Sequence, residues 1–138
     1  MATAYECAEY LIRDDGSEIS NSRTGNMKLQ KLLVLADLAN IAEYGEPLFK
    51  DQVLAFKNGC VVEKVRLRYK NDYGAFRQDS EVYQPDFSER EYGVLNLVMG
   101  IFGGASAKEL SDINHTFNFW KEAFDHGTRS TGYHDKGM

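Results

Sequence analysis

The sequence predicts a mainly α fold, α+β at most. It reads as a compact single domain of five to six helices around a central buried helix, with a small β-hairpin or short sheet. Three observations lead there. Residues 26–44 carry Leu29, Leu32, Leu33, Ala36, Ala39 and Ile41 at the three-and-four spacing of a helix, and from Leu32 to Ala42 only Asp37 and Asn40 interrupt the apolar surface. A helix that is apolar round most of its circumference belongs inside a domain, with Gln30, Asp37 and Asn40 as one narrow polar stripe. Capping boxes, in which a Ser or Thr is followed three residues later by Glu, mark further helix starts at Thr3, Ser88 and Ser106. The β-compatible fragments are short, at residues 52–56 and 81–83.

In the first box the Thr3 and Glu6 side chains each satisfy a free backbone donor. Ala4, Cys7, Ala8 and Leu11 follow at helical spacing to about Arg13, with Asp14-Asp15-Gly16 as the stop. Residues 17–25 read as a polar connector anchored by Ile19. Asn26 is expected to cap the central helix, and Gly45 to end it in the left-handed conformation. Pro47 disfavours helix at Glu46 and lacks a donor, so the chain should turn into an extended run here. Residues 52–56 read as a strand broken by Gly59. Helix is expected again from Val61, with Val61, Val62, Val65 and Tyr69 on one side and Glu63, Lys64 and Arg68 on the other.

Residues 71–87 carry turn formers and are expected to form an irregular loop, longer than common connections, whose 81–83 fragment would pair with 52–56. The second box opens a helix with Tyr92, Leu95, Val98, Met99 and Phe102 inward, ended by Gly103-Gly104. The third opens a shorter helix with Leu110 and Ile113 inward, and His115, Phe117, Phe119, Trp120 and Phe124 form an aromatic closing segment. The domain is expected to span residues 1–124, leaving polar, Gly-rich 125–138 as a flexible tail.

A chain of 138 residues buries about two-thirds of its unfolded surface, enough for one self-sufficient core. The net charge of −5 opposes a role in tracking nucleic-acid phosphates, because that affinity comes from counterions released around Lys and Arg. Cations do gather between Lys57 and Lys70, but Glu63 and Asp72 dilute them, and a solvated helix face is the expected reading. Cys7 and Cys60 fall on apolar positions and are expected to be buried and reduced. The N-terminus shows no charged-then-apolar leader and no run is long enough to cross a bilayer, so a cytoplasmic compartment is expected.

No catalytic, cofactor or metal residues are expected. The three histidines, His115, His126 and His134, show no i, i+4 pair and none lies beside a cysteine pair. No Gly-rich phosphate loop or nucleophile elbow occurs. His115 could pair with Asp112 or Glu109 as acid and base, although a histidine between a helix end and Phe117 and Trp120 reads more simply as a structural hydrogen bonder. The two helices flanking Gly103-Gly104 also have the outline of a helix-turn-helix, which would make the chain a DNA-binding regulator of its own operon. Its second helix, however, sets Lys108 against Glu109 and Asp112.

Three separated patterns resemble one known family. Met27-Lys28-Leu29-Gln30-Lys31-Leu32-Leu33 is similar to the Leu-Lys-Leu-Gln-Lys-Leu-Leu signature of the Panacea antitoxin domain, a group that includes SocA-like and phage-associated Gep-type proteins. The stretch from Gly45 through Gly59-Cys60-Val61-Val62 resembles its next block, and residues 106–120 resemble its Glu-Leu-Ser…His…Trp ending. Phe56 stands where the family commonly has Trp, and Cys60 where it commonly has Pro. The former change loses an indole donor that an interface could use.

The resemblance implies an antitoxin that binds and neutralises a toxin encoded nearby, some members also acting as adaptors to a bacterial ATP-dependent protease. A homodimer is open, and no membrane partner is implied. Lys28, Leu29, Gln30, Lys31, Leu32, Gly59, His115 and Trp120 would carry the signature, with Lys28, Gln30 and Lys31 bracing neighbouring segments if the helix is buried. Phe49, Phe56, Tyr69 and Tyr73 are the expected partner contacts.

Overall fold

The computed structural model describes residues 2–15, 23–82, 84–125, 127 and 130–136. Its elements run α1 (Ala4–Asp15), α2 (Arg23–Tyr44), β1 (Leu54–Phe56), β2 (Gly59–Val61), α3 (Glu63–Val82), α4 (Glu89–Phe102), α5 (Ala107–Asn114) and α6 (Asn118–Asp125), followed by a short 3-10 turn at Tyr133–Lys136. The architecture is mainly α with one two-stranded antiparallel sheet, as the sequence predicts. No helix is long and apolar enough to cross a membrane among the described residues.

All three capping boxes form. Thr3 Oγ1 accepts from Glu6 N while Glu6 Oε1 accepts from Thr3 N, and the same reciprocal pairs join Ser88 to Glu91 and Ser106 to Glu109. The second Glu91 carboxylate oxygen also accepts from Ala2 N at 2.9 Å, which ties the start of α1 to α4.

Helix α2 packs against α1, α3, α4, α5 and β2, and Leu29, Leu32, Leu33, Val34 and Ala36 are fully buried on it. It begins at Arg23, so Asn26 is not its cap. Asn26 sits inside the helix, where Nδ2 donates to Arg66 O at 3.1 Å and Oδ1 accepts from Gln30 Nε2 at 3.1 Å. Gly45 ends the helix with φ +76°. The polar stripe satisfies the backbone of irregular segments: Asn40 Nδ2 donates to Glu46 O at 2.8 Å, and Asp37 Oδ1 accepts from Leu48 N at 2.8 Å. A buried helix thereby orders the chain that wraps it.

Three further expectations are corrected. Residues 52–56 pair not with 81–83 but with the neighbouring β2, in register Leu54↔Val61 and Phe56↔Gly59. Asn58-Gly59 is a hairpin signal, and Gly59 at φ +122° begins the second strand where it was expected to break the first. Residues 71–82 are helical, the turn formers at 71–74 producing one non-helical residue, Asp72, within α3. Asp72 Oδ1 accepts from Ala75 N, so the same residue that interrupts the helix caps its second half. Tyr83 lies outside the described residues, as do Gly16 of the expected helix stop and Ile19 of the expected connector.

The third correction is at the C-terminus, where a weakly ordered tail is expected. Ser130 bridges to Leu54, Thr131 N and Oγ1 both donate to Val53 O, and the Tyr133 hydroxyl reaches Asp37. Tyr133 is 1% exposed, with its ring 4.8 Å from Phe119. One tyrosine and one buried carboxylate dock a segment that has no periodicity of its own.

Candidate functional site

The hairpin of β1 and β2 is held by side chains from four helices. On α2, Gln30 Oε1 accepts from Val62 N at 2.9 Å and Lys31 Nζ donates to Cys60 O at 3.1 Å. On α5, Ser111 Oγ donates to Asn58 O at 2.8 Å and Asn114 Oδ1 accepts from Cys60 N at 3.1 Å. His115, at the α5 C-cap, holds Lys57 O through Nε2 at 2.9 Å, and Trp120 Nε1 on α6 donates to Phe56 O at 2.8 Å. A carbonyl only accepts, so this nitrogen of His115 carries the proton. Arg66 on α3 places its guanidinium over the Phe56 ring, 5.1 Å from the centroid. The backbone of residues 56–62 is thus pinned almost atom by atom.

Burial explains why these residues are polar yet internal. Lys28 donates to Gly103 O at 2.6 Å, placing a cation at the C-terminal end of α4, where free carbonyls and the helix dipole favour it. Lys31 is only 1% exposed, and burial pulls its ammonium down from the ordinary 10.5 to about 8, an effect that the adjacent Cys60 opposes. Burial likewise pushes the Cys60 thiol up to about 12, against the pull of Lys31, so it stays protonated and unreactive as a nucleophile at neutral pH. Cys7 is a second buried free thiol, its ionisation also pushed up by burial.

A cavity of about 610 Å³ opens beside the hairpin, between α2 and the first turns of α3. Gln30, Lys31, Phe56, Lys57, Arg66 and Lys70 contribute to its walls. The Lys57 to Lys70 run is therefore not one solvated face. Lys57, Arg66 and Lys70 reach the cavity, Lys64 lies over the Tyr5 ring, and Arg68 pairs with Glu9 and Asp79 to join α3 to α1.

Of the four aromatics expected at an interface, Phe49 and Tyr69 are buried in the core, which moves them from contact to packing, although Tyr69 also borders the cavity. Phe56 and Tyr73 are half-buried. The imagined acid–base pair at His115 is not assembled: Asp112 pairs with Lys108, Glu109 closes its capping box, and the His115 ring packs 4.5 Å from Trp120. His126 lies outside the described residues, and His134 reaches Asp37 at 2.5 Å. Leu97 (55%) and Ile101 (63%), four residues apart on α4, are exposed apolar side chains outside the expected inward stripe.

The clamp is built from the three sequence blocks that carry the family resemblance. A family model described as Antitoxin SocA-like, Panacea domain, matches residues 29–121. The chain belongs to this family. No curated protein and no solved structure matches it. Membership gives this Panacea domain an antitoxin-like role. Lys28, Gln30 and Lys31 on α2 and the distant His115 and Trp120 are among the residues that fix α4 and the hairpin.

Proposed function

We propose that this Panacea domain is the antitoxin of a toxin–antitoxin pair and neutralises a cognate protein toxin by direct binding, with the hairpin tip and adjoining cavity as the working surface. The observation that supports this reading is the convergence of the signature side chains Gln30, Lys31, His115 and Trp120 on the backbone of residues 56–62. So many side-chain bonds to so short a hairpin fix its shape before any partner arrives, which lowers the ordering cost of binding. The exposed Lys57 and half-buried Phe56 at its tip supply one charged and one apolar contact.

The helix-turn-helix reading has less support. Helices α4 and α5 do flank a glycine turn, but Lys108 on the outward face of α5 is paired with Asp112 at 3.0 Å, leaving little net positive charge to meet phosphate. Co-expression with the product of the adjacent reading frame tests the proposal. Growth arrest by that product alone, relieved by this chain with co-purification of the two, is the expected result. A harmless neighbour, or toxicity that persists in spite of expression of the folded chain, contradicts it. A salt-dependent shift of the operon promoter fragment would favour DNA binding instead.

A further inference from the structure

The cavity beside the hairpin concentrates positive charge in an acidic chain. Lys31, Lys57, Arg66 and Lys70 all line it and, among the described residues, no carboxylate does, whereas the whole chain carries a net charge of −5. Glu63 pairs with Arg66 at 2.5 Å from outside the lining. Lys57 and Lys70 are exposed at the rim. Lys31 is 1% exposed, and its ammonium meets the Cys60 carbonyl and no carboxylate among the described residues. An ammonium has three donors and a large desolvation cost, and the Cys60 carbonyl accepts from only one of them. Phe56, held beneath the Arg66 guanidinium, forms an apolar wall next to this charge.

We infer that the cavity between α2, the hairpin and α3 seats an acidic segment of the partner protein, with a carboxylate against Lys31 and an apolar side chain against Phe56. This rests on the antitoxin reading for its assumption that the partner is a protein. An extended polyanion fits less well, because a chain of net charge −5 repels phosphates running beyond the cavity. A short segment bearing one or two carboxylates meets the positive lining without meeting that repulsion. Docking would supply the counter-charge that the fold omits and would return Lys31 toward its ordinary protonation. Binding near pH 8 would then take up protons.

The test uses the full chain and two capped hexapeptides, one alternating glutamate with phenylalanine and the other alternating glutamine with phenylalanine. Calorimetry at pH 8 in buffers of different ionisation enthalpy reads affinity and proton uptake together. The acidic peptide should bind at least tenfold more tightly than the glutamine peptide, weaken as salt rises, and take up protons. Lys57→Glu/Lys70→Glu, at exposed positions that leave the fold intact by thermal melting, should lose binding, and Lys31→Met should lose the proton uptake. Equal affinity for both peptides, no binding of the acidic one, or unchanged binding by the double variant overturns the inference. Inorganic tripolyphosphate binding tenfold more tightly than the acidic peptide overturns it in favour of a phosphate ligand.

The two readings fail separately. If the adjacent gene product is neutralised equally by wild type and Lys57→Glu/Lys70→Glu, the cavity assignment fails and the antitoxin reading stands. If that product is harmless or unbound, the antitoxin reading fails and the peptide titration still decides the chemistry of the cavity.

Discussion

Gly59→Ala should strongly destabilise the fold. Gly59 has φ +122°, a conformation that L side chains rarely adopt, and an added Cβ would lie 2.7 Å from Lys31 Cε and 2.9 Å from Asn114 Cβ. The strain costs about 1–3 kcal/mol, and overpacking a further ~1–3 kcal/mol. The Lys31 stem can swing aside only by giving up its bond to Cys60 O, and Asn114 Cβ is fixed by the α5 backbone. A loss of about 4 kcal/mol corresponds to a Tm decrease of roughly 10–15 °C for a chain of this size.

Gly74→Ala is the matched control. Its Cβ would meet nothing within 4 Å, and it lies in α3, where alanine favours helix by up to ~1 kcal/mol. Thermal and urea unfolding of both variants should move in opposite directions. A Gly59→Ala loss below about 1 kcal/mol, or a shift of the same sign and size in both, would refute the account of how the hairpin is seated.

Three further outcomes follow from particular contacts. Gln30→Leu leaves the Val62 N–H without its acceptor in a buried site and should cost about 2–3 kcal/mol by urea unfolding; a neutral result would mean that the hairpin does not depend on the signature helix. Tyr133→Phe removes the hydroxyl that reaches buried Asp37 and should cost ~1–3 kcal/mol, with faster proteolysis beyond residue 125; unchanged stability and cleavage would show that the docked segment is dispensable. For Lys31, the folded value of about 8 lies below the unfolded 10.5, so between these the unfolded chain binds more protons and stability contributed by this site rises with pH, by about 3 kcal/mol across the window. This gain is complete above 10.5 and lost below 8. The stability difference between wild type and Lys31→Met, measured at several pH values, should climb accordingly, and parallel profiles would contradict the buried charge.

What the sequence discloses about this fold is mostly local. Each capping box is completed by residues three apart, the apolar circumference of α2 needs no partner to be recognised, and Gly45 ends the helix it directly follows. Features that depend on distant chain were hidden. The partners that Lys28 and Lys31 brace, Gly103 O and Cys60 O, lie 75 and 29 residues away and cannot be named from the helix alone. Residues 130–136 show no pattern because Asp37 and Val53 supply their order. In α3 the turn formers did interrupt the helix, but at Asp72 alone, because Phe76 and Ser80 bury the continuation and Arg77 donates to Ile12 O.

The signature itself was legible, and so was the bracing role of its polar residues; the object they brace was not. The hairpin turns at Lys57-Asn58 with Gly59 already in the second strand, yet Val61 and Val62 also extend a helical pattern, and only the antiparallel pairing separates the two. The cationic cavity is assembled from α2, the hairpin and α3, so the run from Lys57 to Lys70 could not reveal which of its members share a site.

The most direct test of the account is hydrogen–deuterium exchange of this Panacea domain with and without the product of the adjacent reading frame. New protection should concentrate at residues 56–62 and 66–70, the hairpin and the cavity wall. Protection confined to α4 around Leu97 and Ile101, or none anywhere on the chain, would contradict it.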